Sequence, residues 1–131
     1  MRNLSKSKIL AWRQCPKRLW LEIHHPELRE DSAATQASYR TGYEVGGIAQ
    51  QLFDPAGEGV LVDAQRDGYG TALTQSLELL QSPRPIFEAG FSAEGAIAFA
   101  DIMLPIREGH KLNWRMIEVK SSTSVKDVGA E

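Results

Sequence analysis

Apolar positions along this chain form two long strand-like runs towards its C-terminal end, with helix-like segments before them. Residues 96–104 and 112–120 are apolar on both alternating faces, through Ile97, Phe99 and Met103, Ala98, Ala100 and Ile102, then Trp114, Met116, Ile117 and Val119. That describes central strands covered on each side. The turn-prone stretch 107–111, Arg-Glu-Gly-His-Lys, separates the two runs, so a hairpin is the simplest connection. A loop centred between Gly109 and His110 pairs residues whose numbers sum to 219, which sets Asp101 opposite Glu118.

Upstream, Ser5 is placed to cap a helix through Ile9, Leu10 and Trp12, with Pro16 opening a further turn through Leu19, Trp20 and Ile23. His24-His25-Pro26 ends it. Residues 29–34 are polar and read as a loop. A helix over 37–53 follows despite Gly42, Gly46 and Gly47, which imply close backbone packing. Asp54-Pro55-Ala56-Gly57 is a stop, 59–62 a short strand, and 69–81 an amphipathic helix with Leu73, Leu77 and Leu80 inward. After Ser82-Pro83-Arg84-Pro85, residues 86–91 begin an antiparallel run that the hairpin completes. The predicted order is αα β α βββ.

The 131 residues amount to a single domain, able to bury roughly two thirds of its unfolded surface. No apolar run approaches the roughly 18 residues of a membrane span, and the N-terminal ten residues are basic without a signal-peptide core. The expectation is a cytoplasmic protein with no membrane partner. One cysteine, Cys15, excludes an internal disulfide and any cysteine-only metal site, and reads as a buried thiol. The formal charge is −2, yet residues 1–21 carry six basic and no acidic side chains, leaving −8 for the remainder. Lys6, Lys8, Arg13, Lys17 and Arg18 are therefore candidate phosphate contacts, against the alternative of a solvated helix face. Trp12, Trp20 and Trp114 read as core, and His24, His25 and His110 have no mutual ligand spacing.

Candidate chemistry lies in the hairpin. Opposed strand residues have Cβ atoms roughly 4.5–5.5 Å apart, where two carboxylates repel unless a cation compensates them. Alternation puts Lys120 on the face of Glu118, so Asp101, Glu118 and Lys120 form one cluster. Carboxylate oxygens suit Mg²⁺ or Mn²⁺, and a neighbouring lysine can stabilise an attacking water or developing charge. This is the equipment of metal-dependent phosphodiester hydrolysis. A cross-strand salt bridge on an ordinary hairpin is the competing reading.

Three segments resemble the PD-(D/E)XK nuclease superfamily, in particular its RecB-like branch with CRISPR-associated exonucleases. They are Leu4-Ser5-Lys6-Ser7-Lys8 leading to Cys15-Pro16-Lys17-Arg18-Leu19-Trp20, then Gly42-Tyr43-Glu44-Val45-Gly46, and Phe99-Ala100-Asp101-Ile102 with Ile117-Glu118-Val119-Lys120-Ser121-Ser122-Thr123. The resemblance implies a restriction-endonuclease-like α/β fold, a mixed sheet with flanking helices and a core over 86–120. It implies that Asp101, Glu118 and the Val119 carbonyl hold the metal while Lys120 assists the water, with Glu44 and Glu88 as further candidate ligands and DNA as partner. The branch's iron–sulfur cluster needs three C-terminal cysteines that this sequence lacks. Family members continue past Glu-x-Lys with a helix bearing glutamine and tyrosine, so the sheet is expected to be C-terminally incomplete, completed by further chain, a partner or a second copy. The alternative function is a truncated or degenerate nuclease fold that binds nucleic acid or protein without cutting.

Overall fold

The computed structural model describes residues 3–122 as a mixed α/β fold. Five α-helices and one four-stranded sheet are present among those residues, in the order α1 (Lys6–Gln14), α2 (Pro16–His24), a 3₁₀ turn (Pro26–Leu28), α3 (Ala33–Phe53), β1 (Val60–Leu61), α4 (Ala64–Asp67), α5 (Tyr69–Leu79), β2 (Ile86–Ala93), β3 (Ala96–Glu108) and β4 (Lys111–Ile117). Strand order follows chain order, with β1 parallel to β2 and the remaining pairs antiparallel.

Local chemistry accounts for the element boundaries. The Ser5 hydroxyl accepts from the Lys8 N–H to start α1, and Ser32 does the same for Thr35 at the start of α3. The helix predicted to continue through Pro16 instead breaks at Cys15, whose extended backbone (φ −164°) separates α1 from α2. Proline cannot donate into the preceding turn, but its fixed φ suits a first helical position. Likewise α3 begins four residues before the predicted start, because Ser32 supplies a cap that the polar loop reading overlooked. The short helix α4, capped by Asp63 through Arg66 N–H, was not predicted.

Both hairpins use two-residue loops with the conformations that strand twist demands. Between β2 and β3, Glu94 (φ 51°) and Gly95 (φ 79°) are both left-handed; between β3 and β4, Gly109 (φ 64°) takes the first loop position. The β3–β4 register pairs Ile102 with Ile117, Met103 with Met116 and Glu108 with Lys111, the sum-219 pairing read from the sequence. Leu4 is fastened to the other hairpin by two backbone hydrogen bonds, Leu4 N–H to Gly95 O at 2.7 Å and Ile97 N–H to Leu4 O at 2.9 Å.

The core comprises Val62, Ala72, Ile86, Ala89, Ala100 and Met103, with Leu79, Leu80, Phe91 and Trp114 against its margin. Gly90 admits the Phe99 ring, since a Cβ there would lie 2.7 Å from Phe99 Cε1. The buried Ser76 hydroxyl accepts from Gly90 N–H at 2.9 Å and donates to Ala72 O at 2.7 Å, tying α5 to β2.

Several burial expectations are corrected. Leu77 is exposed, and α5 turns Ala72 and Ser76 inward, with Leu73 and Leu80 partly covered. Trp12 and Trp20 are exposed, Trp20 lying against His24 at the end of its own helix and His25 just beyond it, whereas Trp114 does pack against the core. Cys15 is an exposed thiol. Among the described residues β4 lies at the edge of the sheet, and its Met116 is exposed. Among the described residues no atom lies within 4 Å of an added Cβ at Gly42, Gly46 or Gly47, so the three glycines of α3 make no close packing with them. No described helix is long and apolar enough to cross a membrane.

Candidate functional site

Asp101 lies near the middle of β3, where the two registers converge. On one side it falls between the pairs Phe87↔Ile102 and Ala89↔Ala100, so its cross-strand neighbour is Glu88. On the other side the next step beyond Ile102↔Ile117 would bring Glu118 opposite it, but β4 ends at Ile117. Glu88 and Asp101 are thus cross-strand neighbours, whereas Glu118 falls one residue beyond the end of β4.

Glu88 is the half-buried member, and its backbone is left-handed at φ 58°. A glutamate held in that region costs on the order of 1–2 kcal/mol and persists only where its surroundings over-determine it. The flanking pairs keep the same register on both sides, so the irregularity is confined to Glu88. Burial pushes its carboxyl above the usual range, and the Asp101 charge adds to the shift.

Asp101 Oδ2 accepts from Val119 N–H at 2.8 Å. A carboxylate oxygen therefore continues the β3–β4 attachment where backbone pairing stops. Glu118 turns away into an exposed ion pair with Lys120, Oε1 to Nζ 2.9 Å. The hydrogen bond to Lys120 holds the Glu118 carboxyl below its usual range, and the reciprocal bond raises the Lys120 ammonium, with Asp101 adding a smaller contribution. The predicted face-to-face arrangement of Asp101 and Glu118 is replaced by this pair, because the strand ends one residue before Glu118.

A cavity of about 160 Å³ collects Glu88, Asp101, Val119, Lys120 and Ser121 from the sheet side. Gly42, Val45, Gly46 and Gln50 of α3 form its opposite wall. Glu118 lies outside this lining, and Glu44 is exposed on α3 without reaching it. No cluster of three or more His, Cys, Asp or Glu side chains arranged to hold a metal occurs among the described residues. The lining residues with oxygen-bearing side chains are Gln50, Glu88, Asp101 and Ser121, with Val119 and Lys120 between the last two.

The predicted phosphate-contacting residues are spread over α1 and α2. Lys6 is close enough to Glu118 to depress its carboxyl, the smallest of that group's influences. Lys8 donates to Asn3 O at 3.4 Å, and Arg18 is engaged by Glu22 and Gln14. Arg13 lies in the last turn of α1, and Lys17 lines a separate cavity with Cys15 and Arg29. Sequence reasoning missed Gln50 and the glycine wall of α3, although Gly42 and Gly46 at helical spacing within a 21-residue helix carried the signal.

No family model, curated protein or solved structure matches this chain.

Proposed function

We propose that this chain carries the site of a metal-dependent DNA nuclease of restriction-endonuclease-like fold. The observation that carries the reading is the convergence of Glu88, Asp101, Val119 and Lys120 on one cavity. Asp101 and Lys120 occupy the positions that the resemblance to PD-(D/E)XK nucleases assigns to metal binding and to assistance of the attacking water.

The donor set fits a hard divalent cation. Burial and the neighbouring Asp101 charge disfavour the ionised form of Glu88, and a cation between the two side chains offsets both the desolvation and the repulsion. Glu88 and Asp101 would hold Mg²⁺ or Mn²⁺, with the Val119 carbonyl as a further oxygen. Such an ion supplies Lewis-acid polarisation of a phosphoryl oxygen and lowers the pKa of bound water. Lys120 lines the same cavity, where its ammonium is placed to stabilise negative charge developing on a phosphodiester. Glu118, exposed and paired with Lys120, acts in this reading by orienting the lysine.

Calorimetric titration with Mn²⁺ tests the site. Wild type is expected to bind saturably and Asp101→Asn to lose at least ten-fold in affinity. Asn preserves an oxygen acceptor for the Val119 N–H, so it is a cleaner probe than Ala. Mg²⁺-dependent cleavage of DNA should disappear in the same variant. Equal Mn²⁺ affinity in both proteins would refute the assignment.

A further inference from the structure

Along α3 the usual burial preferences are inverted. Ile48 is 66% exposed and Leu52 74%, while Gln50, between them in sequence, is half-buried. Among the described residues the Gln50 side chain makes no hydrogen bond or ion pair. A carboxamide carries two N–H donors and a carbonyl acceptor. When such a group is covered without a protein partner, solvent or a ligand has to satisfy it.

Gln50 stands where two cavities meet. It lines the carboxylate cavity with Glu88, Asp101 and Lys120, and it lines an adjoining cavity of about 580 Å³ that shares Gly42, Gly46 and Glu88 with the first. The other α3 residues on the carboxylate cavity are Gly42, Val45 and Gly46, so Gln50 is the polar side chain that this helix contributes to it. Long helical side chains lean towards the helix N-terminus, over the turn before their own. For Gln50 that turn holds Gly46, and no described atom lies within 4 Å of a Cβ built at Gly46 or at Gly42. The glycines leave the amide open space beside the carboxylates.

We propose that the Gln50 carboxamide donates a hydrogen bond to a non-bridging oxygen of a phosphodiester bound at the Glu88–Asp101 cavity, so that α3 holds the substrate from one wall and Lys120 from the other. The inference rests on the nuclease reading and adds to it a substrate-contacting residue on a helix that the carboxylate cluster does not use. Charge favours a neutral donor at this place. With a divalent cation bound, the two carboxylates and Lys120 leave one positive charge, which a single phosphodiester cancels. A further cation here would compete with the metal for the carboxylates, and a further acid would repel the phosphate. An amide does neither and still donates.

The test combines Mn²⁺ calorimetry with dimethyl phosphate as the diester, whose binding to the Mn²⁺-loaded protein is read from the enhancement that the paramagnetic ion gives to phosphorus nuclear relaxation. Wild type should bind the diester saturably. Gln50→Leu should weaken that binding about ten-fold, the size of one lost hydrogen bond to a charged group, and leave Mn²⁺ affinity unchanged. Leucine is at least as good a helix former as glutamine, so the melting temperature should not fall, which excludes unfolding as the cause. Gln50→Glu should move the two affinities in opposite directions, tightening Mn²⁺ and weakening the diester more than Gln50→Leu does, because a carboxylate attracts the cation and repels the phosphate. Absent diester binding by Mn²⁺-loaded wild type overturns the proposal. Loss of Mn²⁺ affinity in Gln50→Leu also overturns it, making Gln50 part of the metal site or of the fold. Mn²⁺ bound by wild type and lost in Asp101→Asn, with diester affinity the same in wild type and Gln50→Leu, leaves the nuclease reading and removes the Gln50 contact. Absent Mn²⁺ binding by wild type removes both.

Discussion

Glu88 concentrates two costs in one residue, and they can be measured separately. Its left-handed backbone is disfavoured by about 1–2 kcal/mol for a residue with a Cβ. Glycine removes that penalty but gains unfolded-state entropy worth about 0.5–1 kcal/mol, so Glu88→Gly should gain about 0.5–1 kcal/mol from the backbone alone. The side chain adds the second cost. Because the folded carboxyl is raised above its unfolded value, by burial first and Asp101 second, the protonated form is the one the fold favours. Stability linked to this group is fully present below the ordinary glutamate range and is lost as pH rises through the raised folded value. Glu88→Gln keeps the strained backbone and removes the ionisation, so its advantage over wild type should be absent near pH 4 and appear towards pH 7. Glu88→Gly should be more stable than wild type at both pH values, by roughly 2–6 °C in melting temperature. Thermal unfolding followed by circular dichroism at the two pH values reads both effects. Loss of stability in both variants at pH 7 would show that Glu88 makes contacts outweighing strain and desolvation, and would refute the account. Under the proposed function both variants also weaken Mn²⁺ binding, a stability gain accompanied by loss of function.

Two further substitutions probe what surrounds the site. Ser76→Ala leaves the buried Gly90 N–H without its acceptor and should cost about 1–3 kcal/mol, read as a lowered midpoint in urea unfolding; a change below 0.5 kcal/mol, roughly the floor for surface substitutions, would mean that Gly90 finds another partner. Glu118→Gln removes an exposed ion pair and should change stability by less than about 1 kcal/mol, while lowering the Lys120 ammonium pKa measured by nuclear magnetic resonance. An unchanged lysine would disprove the coupling between the two side chains.

The hairpin register was legible because two-residue loops leave little freedom: once Gly109-His110 is the turn, every pair follows from alternation. The helix caps were legible for a similar reason, since Ser5 and Pro16 act locally. Glu88 escaped because a left-handed glutamate is imposed by tertiary surroundings and leaves no trace in local propensity. Trp12 and Trp20 were misjudged because apolar area indicates a tendency to be buried, whereas actual burial depends on which surfaces meet. The site was half legible. Asp101 and Lys120, grouped with Glu118 on one strand face by alternation, both line one cavity, but where β4 would end, and with it the place of Glu118, went with Asp101 taking over the Val119 amide.

That substitution of a side chain for a backbone acceptor makes the strand terminus responsive to whatever occupies the cavity. A ladder carbonyl has one role, but the Asp101 carboxylate belongs to the sheet through Oδ2 and to the cavity through the same delocalised charge. Any cation drawing electron density from it weakens its hold on the Val119 N–H. The exchange rate of that single amide proton would then report on occupancy of the carboxylate cavity, and the path from β4 into Ser121 and Ser122 would be set by charge as much as by strand pairing.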